Sequence, residues 1–141
     1  MATSSGVQLL TRLSAARPPP PLAEPKDLAD AILLHNGAHV GEWEQWLAAA
    51  GVHGVAAERG PVFDASNEVL AAAANGMGVA LGRSPLVEPD LEAGRLVEPF
   101  AQRMRSPGRY WLVAPEATAG RDALVALRTW LQAQCSPCAS P

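Results

Sequence analysis

Apolar and polar positions along this chain fall into short blocks whose period switches between that of a strand and that of a helix. Ile32-Leu33-Leu34-His35 is a compact apolar run closed by Asn36-Gly37, the pattern of a buried strand. Just before it, Pro25-Lys26-Asp27-Leu28-Ala29-Asp30 reads as a short helix, which Pro25 starts without losing a needed hydrogen bond. From Glu42 the apolar residues Trp43, Trp46, Leu47 and Ala50 recur at i, i+3, i+4 and i+7, one face of an amphipathic helix. Gly51 is placed to stop it in the manner of a C′ glycine. Gly60 to Phe63 reads as the next strand, and Asp64 or Ser66 is placed to cap an alanine-rich helix over Asn67 to Asn75 that is slim enough to lie close against a sheet. Gly76 and Gly78 permit a positive φ at the helix end and close packing, and Val79-Ala80-Leu81 is then a strand closed by Gly82 and Pro85.

Beyond this point the pattern predicts a short helix in Leu86 to Ala93, interrupted by Pro89, and an extended stretch from Leu96 to Phe100. Gln102 to Arg109 is polar and basic and reads as a loop turning at Pro107-Gly108. Tyr110 to Ala114 is a strongly apolar strand, and Arg121 to Gln132 a helix with Leu124, Leu127, Trp130 and Leu131 facing inward. Strands alternating with helices predict an α/β fold with a parallel-rich sheet.

Length and charge narrow the possibilities. A chain of 141 residues holds one domain with a real core. Its formal charge is -3 and its basic residues are dispersed, so no stripe exists to neutralise several phosphates, and direct DNA binding by this chain is not expected. No uncharged apolar run approaches the roughly 20 residues that span a bilayer, which predicts a soluble protein without a membrane partner. The opening MATSSGVQLLTRLSAARPPPP has the look of a targeting peptide, but Gln8, Thr11 and Arg12 interrupt the continuous apolar core that a secretory signal needs. Gly6 to Leu13 reads instead as a remnant strand or helix edge, followed by a stiff polyproline-like spacer at Pro18 to Pro21.

Few residues offer chemistry. The helix start Asp64-Ala65-Ser66-Asn67 combines free N–H groups, which attract carboxylates, with small polar side chains that make directed hydrogen bonds. Plain N-capping explains the same residue types. His35-Asn36 closes a strand, and ligands in open α/β folds sit beyond the carboxyl ends of strands; an idle, solvated imidazole is the competing reading. His35, His39 and Glu42 are good zinc ligands by type, yet Gly37 and Gly41 interrupt the helix that their spacing would need, so no metal is expected. Cys135-Ser136-Pro137-Cys138 has redox-motif spacing but follows a helix, and reads as reduced thiols in a tail. Trp43, Trp46, Trp111 and Trp130 fall on apolar faces and read as core, with Trp111 also placed to border a cleft or a contact between copies. Gly76-Met77-Gly78 follows a helix and enters a strand, the wrong order for a phosphate loop. No nucleophile with its base and no catalytic carboxylate pair stands out, so neither catalysis nor a cofactor is expected.

The stretch FDASNEVLAAAANGMGVALGRSPLVEPDLEAGRLVEPF, Phe63 to Phe100, resembles the effector-binding domain of LysR-type transcriptional regulators. Within it, GVALGRSPLVEPDLEAGRLVEPF is similar to the subgroup that includes regulators of glycine cleavage, and the likeness continues through Tyr110 to Pro115 and Trp130-Leu131. The resemblance implies a periplasmic-binding-protein-like (type 2) lobe in an incomplete two-lobe effector domain. Residues 25–107 would form the second lobe, residues 108–134 a return strand and helix of the first, residues 1–24 a Pro-rich segment and residues 135–141 a disordered tail. With no room for a helix-turn-helix before Pro25, the chain would be the C-terminal, N-terminally truncated portion of a regulator. The resemblance further implies a cytoplasmic homo-oligomer that takes a small-molecule effector, an amino acid or another carboxylate, on a cleft wall built from His35, Asn36, Asp64, Ser66 and Asn67. A periplasmic-type solute-binding protein is the alternative, because the two families share fold and cleft, but it requires a signal sequence.

Overall fold

The computed structural model describes residues 2–10 and 22–134, and the side chains of residues 22–105 and 112–133. Gly6–Arg105 forms one compact unit, and the stretch after Arg105, with the first five residues, forms a second. The boundaries fall within the strands β1 (Ala2–Leu10) and β5 (Arg103–Trp111).

The remaining strands are β2 (Leu33–Asn36), β3 (Val62–Phe63) and β4 (Val79–Arg83), and the sheet order is β3-β2-β4-β1-β5. β2 runs parallel to both its neighbours, with Leu33 opposite Val79 and Leu34 opposite Ala80 on one side, and His35 opposite Val62 and Asn36 opposite Phe63 on the other. β1 is antiparallel to β4, from Val7 opposite Arg83 to Leu10 opposite Ala80. The connections between parallel strands are helical, as such strands require. The helix α1 (Glu42–Ala49) links β2 to β3, and α2 (Ser66–Ala74) links β3 to β4.

Alternation along the strands sorts the core into two layers. Leu33, Val79 and Leu81 join Leu28, Trp43, Trp46, Leu47, Ala57 and Phe100 in one cluster. Leu34 and Ala80 join Val69, Ala72, Ala73, Val87 and Leu96 in the other. Trp46 centres the first, its ring 6.3 Å from those of Trp43 and Phe100. The buried Trp43 indole N–H donates to the Leu34 carbonyl at 3.0 Å, so its one polar group is satisfied by the sheet it covers. α1 ends as its glycine predicts: Gly51 adopts φ +69° and Val52 N–H bonds the Leu47 carbonyl at 2.9 Å. On the other face α2 presents fully buried Ala73, and its small side chains let the helix lie close to β2 and β4. Two glycines allow equally close backbone approaches. A methyl group on Gly60 would collide with the Leu33 carbonyl, and one on Gly78 with the Ile32 carbonyl.

Several local expectations are corrected. Neither Asp64 nor Ser66 caps α2: its N-cap is Ala65, which gives no side-chain hydrogen bond, and Ser66 is already inside the first turn. Pro89 does not interrupt a helix from Leu86; it sits in the first turn of α3 (Glu88–Glu92), where its missing N–H costs nothing. Gln102 to Arg109 is not a loop, because β5 runs from Arg103 to Trp111, ending before Leu112 rather than at Ala114. β5 ends the sheet order, and an end strand tolerates a proline that a central one does not. β4 continues through Gly82 to Arg83 instead of closing at the glycine. Gly6 belongs to β1, consistent with a strand there, while Pro18 to Pro21, Cys135 and Cys138 lie outside the described residues.

In the smaller unit, α4 (Asp122–Gln134) follows a short 3-10 turn at Glu116–Thr118. Leu124 and Leu131 are half-buried, but Leu127 and Trp130 are exposed, at 44% and 58%. Spacing alone assigned all four to an interior. A helical stripe fixes which residues share a face, whereas burial also needs a partner for that face.

Candidate functional site

Parallel strands in register bring their carboxyl ends to one edge of the sheet, and β2, β3 and β4 end there at Asn36, Phe63 and Arg83. In open α/β sheets this is the edge where ligands bind. Each strand end leads into a short polar connection, and Asn36 ties two of them together. Its Oδ1 accepts from Ala38 N–H at 3.0 Å, and its Nδ2 donates to Ser66 Oγ at 2.7 Å. The second bond spans 30 residues and joins the end of β2 to the start of α2.

Among the expected site residues, the structure thus brings Asn36 and Ser66 into direct contact. Asp64 and Asn67, both exposed, flank Ser66 along the chain. One Asp64 carboxylate oxygen lies 3.9 Å from where a Cβ on Gly37 would stand. Ser66 and Asn67 hold N–H groups at a helix start, where intrahelical acceptors are lacking and Ala65 adds no side-chain cap. Both also line a groove of about 800 Å³ along the outer side of α2, with Leu70, Ala71, Leu86 and Arg95. His35 is directed elsewhere. Its Nε2 lies 3.1 Å from the Arg59 carbonyl, and strand alternation puts its ring on the face opposite to Asn36.

Sequence reasoning missed an ion pair at the same edge. Arg83, the last residue of β4, donates to Glu42 at the start of α1, and the two side chains are only 16% and 11% exposed. Burial pushes the Glu42 carboxyl above its ordinary range, against the downward pull of the Arg83 guanidinium and its hydrogen bond. Burial and then Arg83 hold the His39 imidazole below its usual value. The available signal was a lone arginine closing the apolar run Val79-Ala80-Leu81-Gly82, since a cation at the end of a buried strand calls for a carboxylate nearby. Among the described residues no group of three His, Cys, Asp or Glu side chains is arranged to hold a metal ion, and no helix is long and apolar enough to cross a membrane.

Comparison with known proteins places this architecture. Residues 10–136 match the LysR substrate binding domain family. The chain is 34% identical over 116 residues to the glycine cleavage system transcriptional activator of Escherichia coli (strain K12), which covers 82% of this chain and 38% of that protein. It is 36% identical over 113 residues to the transcriptional activator AmpR of Rhodobacter capsulatus, covering 80% and 38%. Its fold superposes on the effector domain of AmpR from Pseudomonas aeruginosa with a TM-score of 0.73 and 29% identity, over 96% of this chain and 64% of that one. The chain therefore spans well under half the length of the curated relatives that it matches. It belongs to the LysR substrate-binding domain family.

Proposed function

We propose that this LysR substrate-binding domain serves the sensing part of a transcriptional regulator, and that Asn36, Asp64, Ser66 and Asn67 form one wall of its effector site, with His35 at the same strand end but on the other face of the sheet. The supporting observation is the 2.7 Å bond between Asn36 and Ser66, which places two polar side chains from separate segments at the carboxyl edge of a parallel sheet. Asn36 and Ser66 form the centre of the wall and Asp64 and Asn67 flank it, while His35, held by the Arg59 carbonyl on the other face of the sheet, shares only the strand end. The ligand is a small polar molecule, an amino acid or another carboxylate, taken up by the donors at the start of α2. In the intact regulator such a ligand acts by population shift: it binds one arrangement of the lobes better and so changes how the DNA-binding parts sit on a promoter. The relatives named above are transcriptional activators, which favours this reading over a solute-binding protein.

Self-association is part of the same proposal, because Leu127 and Trp130 with Leu112 and Val113 leave apolar side chains exposed in the smaller unit, and exposed apolar surface drives association. Sedimentation at increasing concentration is expected to show a dimer or larger species. A concentration-independent monomer contradicts this.

The site is tested by calorimetry with amino acids and small carboxylates. Ser66→Ala is expected to weaken binding of the best of them by about 1 kcal/mol, the usual net value of one hydrogen bond. Unchanged affinity in both Ser66→Ala and His35→Ala removes the site while leaving family membership intact.

A further inference from the structure

The sequence holds two Asn–Gly pairs, Asn36-Gly37 and Asn75-Gly76. Asparagine before glycine is the pair most open to ring closure, because glycine has no Cβ to shield its backbone nitrogen from the preceding side-chain carbonyl. In both pairs native hydrogen bonds engage the side-chain amide, so the reaction waits on a local opening, and the fold makes the two openings unequal. Asn36 is half-buried at the end of β2 and paired with Phe63 across the sheet. Releasing its amide breaks a bond to Ala38 N–H and another to Ser66 Oγ, 30 residues away on a different element. Asn75 is exposed, as are Gly76 and Met77 after it. Its holds are local: Nδ2 donates to the Ala71 carbonyl at 2.8 Å, and Gly76 N–H to the Ala73 carbonyl at 2.9 Å, in the closing turn of α2. Solvated hydrogen bonds at a helix end are among those that open most readily.

We propose that Asn75 is a site of spontaneous covalent modification, which closes on Gly76 and converts to aspartate and isoaspartate, while the fold keeps Asn36, followed by the same residue, intact. The Gly76 nitrogen attacks Cγ of Asn75. The new N–Cγ bond replaces the Cγ–Nδ2 bond, and the displaced nitrogen leaves as ammonia with the proton that Gly76 gives up. A solvent water then opens the cyclic imide: at the side-chain carbonyl it yields aspartate, and at the backbone carbonyl isoaspartate, with no oxidant or reductant involved. Either product puts a carboxylate at the C-terminal end of α2, where the helix carbonyls already carry partial negative charge, and removes the donor to Ala71. Isoaspartate also inserts an extra backbone carbon ahead of Gly76 and Met77, whose N–H groups bond the Ala73 and Ala72 carbonyls. The modification thus loosens α2 at the end opposite to Ser66 and adds a negative charge to the groove that Asn75 lines.

The full chain is incubated in mildly alkaline buffer, folded and in guanidinium chloride, and both pairs are followed by mass spectrometric peptide mapping, with isoaspartate identified by labelling with isoaspartyl methyltransferase. In the folded chain, conversion at Asn75 is expected to run about tenfold or more faster than at Asn36. In the denatured chain the two rates should converge to within about threefold, because the opening step is gone. Hydrogen exchange at the Gly76 and Met77 amides should rise in the aged, folded sample. Equal rates in the folded chain, faster conversion at Asn36, or an intact Asn75 in the folded chain while the denatured one reacts would each overturn the proposal. So would a preference for Asn75 that survives denaturation, since the fold would not be its source. The ring-closure route is checked by Gly76→Ala in the denatured chain, where folding plays no part. Conversion at Asn75 should slow severalfold while Asn36 keeps its rate, and an unchanged rate at Asn75 overturns attack by the Gly76 nitrogen.

Discussion

Trp46 and Trp130 both lie on apolar helix faces, yet in the unit Gly6–Arg105 Trp46 is 1% exposed, while in the stretch after Arg105 Trp130 is 58% exposed. The first tryptophan has its partners in the same unit: Trp43 one turn away, Phe100 beyond α3, and the β2 and β4 side chains beneath. The second has the same helical spacing with its neighbours and too little beside it to cover it. Amphipathic spacing reports that a helix has an apolar face, and only the surrounding elements determine whether that face becomes interior. The larger unit is therefore where core energy and the candidate site coincide.

The sharpest way to break this contrast is to truncate both rings. At protein concentrations low enough to keep the chain monomeric, Trp46→Ala is expected to cost about 3–5 kcal/mol in urea unfolding, and Trp130→Ala less than about 0.5 kcal/mol. Similar losses for the two would erase the distinction. Next in size is a pair of glycines. Gly60→Ala forces a side chain onto a residue at φ +135° and against the Leu33 carbonyl, and is expected to destabilise by about 2 kcal/mol or more. Gly120→Ala, in the other unit, meets nothing within 4 Å and should change stability by less than about 0.5 kcal/mol. Thermal or urea unfolding of both variants checks this.

A smaller effect concerns Glu42. Its folded pKa lies above the unfolded value, so the folded state keeps this proton longer, and the resulting stability is complete at acid pH and lost as pH rises through the folded pKa. His39, whose folded pKa is lowered, acts in the opposite sense: its contribution is present above the ordinary imidazole range and is lost as pH falls through that range. Glu42→Gln removes the first contribution only. Relative to the unaltered protein it should therefore gain stability as pH rises from roughly 4 to 7, and a relative loss over that range would contradict the assignment.

How far the sequence could be read follows the same division. The helix on Trp43, Trp46 and Leu47, its glycine stop, the strands at Leu33 and Val79 and the parallel-rich α/β class were legible, because each rests on local periodicity and local turn chemistry. The strand from Arg103 was not, because Gln102 to Arg109 is polar and carries a proline, and only its place at the end of the sheet makes that tolerable. The site was legible as segments: His35-Asn36 at a strand end and Asp64 to Asn67 at a helix start. What escaped was their geometry. Ser66 looked like a cap from its type, but its oxygen receives the Asn36 amide, and Arg83 with Glu42 forms a pair whose members stand 41 residues apart. Such contacts depend on register between elements, which no local pattern encodes.

Hydrogen–deuterium exchange, measured with and without the amino acid or carboxylate that most raises the melting temperature, tests the central claim most directly. If the larger unit carries an effector wall at the strand ends, exchange should slow at Ala38, Ser66 and Asn67 and stay unchanged along α4. Protection confined to α4, or absent from residues 36–39 and 64–68 while the compound still stabilises the protein, would contradict it.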